Sequence, residues 1–389
     1  MSEANKRRAI VIGAGIGGLS AALALRQRGW QVAVYDRAAA LREAGAGIVL
    51  AANAMKALDL LGVGGQARTV GAPVEQADIR SWDGRLITSL PAAEQAAKYG
   101  THSYVMHRAD LQSILLHAVA AESPVHTGMR WLTGERKGDL VTAVFEDDTR
   151  EDANVLIGAD GLHSTVRERL FGESPLRYSG YAAYRGVCTL NEARIGSTAG
   201  GGFEALGTGL RFGYSRLGRG RVFWFAAINA PQGSLLPVPA RKQALLSRFS
   251  GWYRPVLDAL EATEASEILA HDIADRAPLS RWSTGNMTLL GDAAHPMLPN
   301  LGQGGAQAVE DAIVLARCLE QGDVPSALEA YEKERMARTS RIVRMSRSMG
   351  RMVQLESKPL IWLRNRLLAA VPPSAYIKRF DPIVGYAVR

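Results

Sequence analysis

Residues 9–36 constrain this chain more than any other stretch. An apolar run over 9–12 is followed at once by Gly13-Ala-Gly15-Ile-Gly-Gly18. Leu19, Ala22, Leu23 and Ala24 then recur as apolar positions of a helix, and a second apolar run over 32–35 ends in Asp36. Strand, glycine turn, helix, strand and acid, in that order, is the context in which G-x-G-x-x-G means dinucleotide binding. Gly13 permits the tight turn, Gly15 lets a pyrophosphate approach the backbone, and Gly18 allows close helix–strand packing. Asp36 can take ribose hydroxyls. The helix is expected over 16–28, with Gly29 just past its end. The run does not separate a nicotinamide from a flavin dinucleotide.

Two later stretches repeat the theme of a strand ending in a turn. Residues 155–167, VLIGADGLHSTVR, read as a buried strand, an Asp160-Gly161 turn and a helix start. Asp160 or Ser164 can simply cap that helix, or the turn is a second approach to a pyrophosphate. Residues 291–311, GDAAHPMLPNLGQGGAQAVED, follow the apolar run 287–290. Two prolines and the cluster Gly302, Gly304, Gly305 lead into a helix marked by Ala308, Ile313, Leu315, Ala316 and Leu319. A helix start after such a loop favours an anion, and Asp292 at the strand end can accept hydrogen bonds from a sugar. Residues 41–54 are small and Gly-rich. They are either a connector or a second backbone surface against an extended cofactor at Gly47, with Arg42 near its phosphates. Arg108, before a helix over 111–121, is either a solvated charge or a phosphate ligand.

Between these stretches the pattern turns to β. Strands are expected over 74–82, 85–90 and 103–106, with Asp83-Gly84 as a hairpin turn, and over 141–145. More follow over 181–189, 210–215 and 221–228. Alternation puts Phe223 and Phe225 on one face and Trp224 on the other. Residues 240–262 read as one helix, and 324–347 and 359–370 as two basic helices that either pack on the domains or meet a membrane surface. The chain has 389 residues, room for two domains or for one with an insertion. Cys188 and Cys318 are its only cysteines, in no metal-ligand spacing, so a reducing cytoplasm is expected. No apolar run nears the roughly 20 residues of a membrane span. The net charge of +8 suits a collector of anionic cofactors at least as well as a nucleic-acid binder, and no nucleic-acid partner is expected.

The motifs at 13–18, 158–167 and 291–305, in that order, resemble the group A, single-component FAD-dependent aromatic hydroxylases, the para-hydroxybenzoate hydroxylase-like family. Tyr178-Ser-Gly-Tyr181, Tyr184-Arg185-Gly186 and Phe223-Trp-Phe225 bring the chain nearest the salicylate hydroxylase, urate hydroxylase and zeaxanthin epoxidase branch. The resemblance implies an α/β fold. A Rossmann-like FAD domain (GR2-type, a parallel sheet plus a β-meander) would cover 1–73, 107–175 and 275–345. An inserted antiparallel β-sheet substrate domain would cover 74–106 and 176–274, and a C-terminal helical segment 346–389.

The resemblance also implies roles. Gly13, Gly15, Gly18 and Asp36 would hold the pyrophosphate and adenosine ribose of FAD. Arg42 and Arg108 would contact the pyrophosphate region, Gly47 would be cofactor-binding, and Asp160 would serve FAD and NAD(P)H. Asp292 would bind the ribityl chain or its neighbouring phosphate, while Pro299, Gly302, Gly304 and Gly305 would face the flavin ring. The implied reaction is hydroxylation or epoxidation of a small aromatic or heteroaromatic substrate with NADH or NADPH and O2, through a flavin C4a-hydroperoxide. Its alternative is a flavin or NAD(P)-dependent dehydrogenase without oxygen insertion. Pro299, Arg211, Tyr214 and Phe223 are the catalytic candidates. Arg211 stands where urate hydroxylase-like members place an arginine, and Phe223 where they carry a tyrosine. No histidine lies between Gly180 and Asn229, so Tyr214 and Tyr181 are the candidates for deprotonating a phenol. A monomer or homodimer is expected.

Overall fold

The computed structural model describes residues 7–41, 46–190, 201–320 and 322–388. Arg8–Ile12 is the centre of a six-stranded sheet. It pairs in parallel with Gln31–Asp36 on one side and Val155–Gly158 on the other. Val125–Thr127 and Met287–Leu289 extend the sheet in parallel, and only Ser283–Thr284 at the edge is antiparallel. Val11, Val34, Leu156 and Ile157 are all fully buried, as expected of strands covered on both faces. The helices Ile16–Arg26 and Gly304–Cys318 pack together over this sheet. All three strands that precede the motifs of the sequence therefore sit side by side and end at one edge. In open α/β sheets that edge is where ligands bind. A three-stranded meander, Trp131–Lys137, Leu140–Phe145 and Arg150–Ala153, flanks it.

The second layer is a seven-stranded sheet. Its order is Leu269–Asp275, Arg177–Thr189, Arg221–Asn229, Leu210–Gly218, Gly201–Leu206, Gln76–Ser81 and Leu86–Leu90. Neighbours are antiparallel except Gly201–Leu206 beside Gln76–Ser81, a parallel join between segments that no local pattern relates. Tyr104–His107 pairs instead with Gly47–Leu50 and Ala72–Pro73. Phe212, Tyr214 and Trp224 form one face's core with Phe249, Trp252, Val256 and Leu260. The expected helix over 240–262 is two helices, Val238–Arg248 and Arg254–Ala262. Gly251 turns to φ +79 between them and Pro255, lacking an N–H, restarts the helix in its first turn. Helices Ala92–Tyr99 and Pro373–Val384, which no reading of the sequence placed, complete the chain with Val324–Val353 and Lys358–Ala370.

Candidate active site

A cavity of about 690 Å³ runs between the two layers. One end is the first glycine turn. Gly13 adopts φ +108 and donates its N–H to the Tyr35 carbonyl at 2.7 Å. A Cβ there would stand 2.5 Å from the Ala159 oxygen, and one on Gly18 would stand 1.9 Å from the Gly13 oxygen. At Gly15 a Cβ would meet no protein atom within 4 Å. The first and third glycines are therefore demanded by the fold, whereas the second leaves open space in the cavity wall. Asp36 accepts the N–H groups of Ala14 at 2.7 Å and Ala38 at 2.8 Å. Each carboxylate oxygen keeps acceptor capacity for a hydroxyl. Arg37 and Arg108 bring positive charge to the same wall. Arg37 was not singled out in the sequence, although it follows the strand-end acid directly. Arg42 lies outside the described residues.

The second and third motifs meet further along. Asp160 accepts hydrogen bonds from the Ser164 hydroxyl, from the Thr165 N–H at 2.7 Å and from the Val166 N–H at 3.2 Å. Ser164 in turn caps Thr165–Phe171 through the Arg167 N–H. The capping role and a place in the cavity wall thus coexist. Burial pushes the Asp160 carboxyl up, against its hydrogen bonds. The buried Arg167 guanidinium donates to the carbonyls of Ala293 and Ala294 at 3.0 and 2.9 Å, which ties the second motif to the third. Asp292 opens on the cavity. Burial raises its pKa, opposed by His295 and Arg108 and reinforced by Asp311. Pro299 and Gly302, the latter at φ +60, shape the next turn. Gly304 and Gly305 open a fifteen-residue helix with no capping side chain. Its first-turn N–H groups are thus left for whatever occupies the cavity. Gly47 and Gly305 are close-approach positions: a Cβ on Gly47 would lie 2.4 Å from the Phe223 ring, and one on Gly305 2.9 Å from Ile48.

The far wall is one face of the seven-stranded sheet. Register places His271, Ala183, Ala227 and Arg211 in a row across four strands, spanning about 14 Å at the usual strand spacing. The two alanines leave a low floor between a base and a cation. Arg211 is almost fully buried. It donates to Asn300 Oδ1 at 3.0 Å, and its guanidinium lies 5.0 Å from the Phe225 ring centroid. The Tyr181 hydroxyl reaches the same Asn300 oxygen at 3.1 Å. Arg185 also lines the cavity; burial and then Arg108 lower its pKa. His271 lies well beyond the 180–229 window that lacks histidine, and strand register brings it beside Ala183. Partial burial, then Arg185 and Arg241, depress its pKa, which keeps the ring neutral.

Tyr214 is a correction. It faces away from the cavity, stacked on Phe203 with ring centroids 5.1 Å apart, and its buried hydroxyl has no partner. Burial pushes its pKa up, so it has neither the position nor the acidity to act on a ligand. The reason is register: Tyr214 is the cross-strand partner of Trp224, on the face opposite Phe223 and Phe225. Apart from Gly18, which packs behind the turn, and Arg42, the remaining candidate residues line the cavity. No cluster of His, Cys, Asp and Glu among the described residues can hold a metal ion, and no helix among them is long and apolar enough to cross a membrane.

The model of a family described as FAD binding domain matches residues 6–181 and 256–346. The chain is 40% identical over 362 residues to an aurachin C monooxygenase/isomerase of Stigmatella aurantiaca, covering 92% of this chain and 93% of the relative. It is 36% identical to the 3-amino-4-hydroxybenzoate 2-monooxygenase PtnB3 of Streptomyces platensis, covering 93% and 92%. Among solved structures, HpxO of Klebsiella pneumoniae complexed with FAD and uric acid superposes with a TM-score of 0.91 at 31% identity, over 97% of this chain and 96% of that one.

Proposed function

The chain belongs to the FAD binding domain family and is an FAD-dependent monooxygenase; from that premise we propose how its residues divide the work, and that NADH or NADPH is the reductant. The single observation that supports the division is the continuous cavity from the Gly13 turn to the Arg211 face of the sheet. The residues present fit the cofactor: an open wall at Gly15, an acid with spare acceptors at Asp36, cations at Arg37 and Arg108, and an uncapped helix start at Gly304. Gly13, Gly15, Asp36 and Arg37 hold the adenosine and pyrophosphate end, with Arg108 and Asp160 beside it. Asp292 takes the ribityl hydroxyls, and Gly47, Pro299, Gly302, Gly304 and Gly305 bracket the ring. When bound there, FAD supplies the redox chemistry, taking reducing equivalents from NAD(P)H and activating O2 for transfer to an electron-rich ring or double bond.

The protein's own part is to orient the substrate, exclude water and place protons. The Ala183–Ala227 floor admits a flat ring. Arg211, held by Asn300 and stacked on Phe225, binds an oxo or anionic group at one end. Neutral His271 at the other end can accept a proton from a hydroxyl and raise the ring's nucleophilicity. Phe223 and Phe225 keep the space dry. Relatives named for aurachin C and 3-amino-4-hydroxybenzoate, and the structure holding uric acid, support an aromatic or heteroaromatic substrate. The cytoplasm is its proposed compartment. The test is to purify the protein, record its flavin spectrum, and follow NAD(P)H and oxygen consumption with hydroxybenzoates, hydroxyquinolines and purines. Flavin absorbance and substrate-stimulated oxygen uptake with an oxygenated product are expected. A protein that cannot take up FAD, or that reduces acceptors without consuming oxygen, overturns the reading.

A further inference from the structure

The helix Lys358–Ala370 carries a surface that the cavity does not use. Its inner face packs against strand Leu86–Leu90 and buries Arg364, whose guanidinium donates to the Val353 carbonyl at 3.3 Å. Its outer face leaves Leu360, Leu363 and Leu367 in solvent at i, i+3 and i+7, with Trp362 beside them. Trp362 and Leu367 are 61% and 60% exposed. Leu86, at the start of the strand beneath the helix, is also half-exposed. A contiguous run of large apolar side chains at helical spacing marks an interaction surface rather than scattered surface residues.

Charge selects the partner. Between Glu356 and Asp381 the sequence holds Lys358, Arg364, Arg366, Lys378 and Arg379 and no acidic residue. Asp381 is engaged by Lys98, and Glu356 is bonded to the Asn229 amide. Arg366 lies over the Trp362 ring, 5.2 Å from its centroid, so a cation and an interfacial aromatic are presented together. We propose that this face docks on the surface of an anionic lipid bilayer, with Leu360, Leu363 and Leu367 among the acyl chains, Trp362 at the headgroup level, and Lys358 and Arg366 on lipid phosphates. The helix lies in the membrane plane and does not span it. Two residues before its N-cap Ser357, the Leu355 carbonyl accepts the N–H of Gly209, in the turn between two strands of the substrate sheet, at 2.9 Å. Docking therefore holds the substrate sheet at a set orientation to the bilayer. The proposal is independent of the roles assigned in the cavity.

Sedimentation of the full chain with vesicles tests it. Wild-type protein is expected to pellet with phosphatidylcholine vesicles that contain phosphatidylglycerol. Retention should drop about tenfold on phosphatidylcholine alone or at high salt. L363E/L367E is expected to remain in the supernatant while keeping the wild-type melting temperature and flavin content, since both positions are solvent-exposed. Wild-type protein that stays in the supernatant, or a double variant that pellets equally, overturns the proposal. So does a concentration-dependent dimer that the double variant abolishes without vesicles, which would make the face a contact between two copies.

Discussion

At the scale of single residues, glycines with the same letter in one motif do different physical work, and substitution separates them. Gly15 has extended backbone angles that alanine accepts, and its Cβ would meet no protein atom. Gly15→Ala is expected to fold and melt as the wild type does while FAD retention falls at least about tenfold, because the methyl group enters cofactor space. Gly18→Ala drives a Cβ into the Gly13 carbonyl and should fail to yield folded protein. Flavin fluorescence after desalting, beside a melting curve, checks both. His271 gives a pH prediction. Its folded pKa lies below the ordinary 6.5, so between the two values the unfolded chain binds more protons than the folded one. Stability from this group is then complete above pH 6.5 and is lost as pH falls through the lowered value. Melting temperatures from pH 7.5 down to 5 should fall less steeply in His271→Gln, and salt should remove only the part of the difference due to Arg185 and Arg241, not the part due to burial.

At the scale of elements, the helix Gly304–Cys318 is held by a buried ionic cluster. Arg335 donates to Asp311 Oδ1 and Glu310 Oε2, each at 2.6 Å, and to Gln307. His295 shares Asp311 at 2.6 Å, and Asn53 reaches Glu310 at 2.7 Å. Burial tends to raise the Asp311 pKa, but His295 and Arg335 win and hold it at about 2. The network fixes the helix whose start lines the cavity to the helices Ala52–Leu60 and Val324–Val353. Arg335→Met leaves buried Asp311 with His295 as its remaining partner and Glu310 with Arg338, which donates to it at 2.9 and 3.0 Å. It is expected to cost about 3–5 kcal/mol, read as a lower urea midpoint and weaker flavin retention. The helix itself was legible from its apolar spacing. The cluster was not, because Glu310 and Asp311 look like an ordinary solvated pair until Arg335, on another helix, is folded against them.

At the scale of the whole molecule, Asn300 joins three parts. It accepts from Tyr181 and Arg211 of the sheet and donates to the Ser346 carbonyl of the long C-terminal helix at 3.0 Å, while standing in the turn beside Gly302. Asn300→Ala removes these bonds without emptying the FAD site. The expected outcome is normal flavin content, a loss of about 1–3 kcal/mol of stability, and more peroxide release per product formed, since Arg211 loses its Asn300 anchor and keeps only Phe225 and Glu204. Comparing peroxide formed with NAD(P)H consumed checks it. Asn300 lies inside a stretch the sequence had already marked, but nothing along the chain says which strands its side chain will reach.

The sequence by itself determined the four inner strands of the first sheet and marked the glycine turns and acids that line one end of the cavity. Strand, turn and helix are local patterns, and a glycine turn that binds phosphates does so with its own backbone. It also decided that Phe223 and Phe225 share a face, because alternation is a property of one strand. Only the tertiary structure decided what depends on partners distant along the chain. That includes the face on which Tyr214 falls, the row from His271 to Arg211, the parallel join of Gln76–Ser81 to Gly201–Leu206, and the Arg167 bonds that bring the second motif to the third. Strand register and helix–helix pairing are set by burial of whole surfaces, and no single window of residues carries that information.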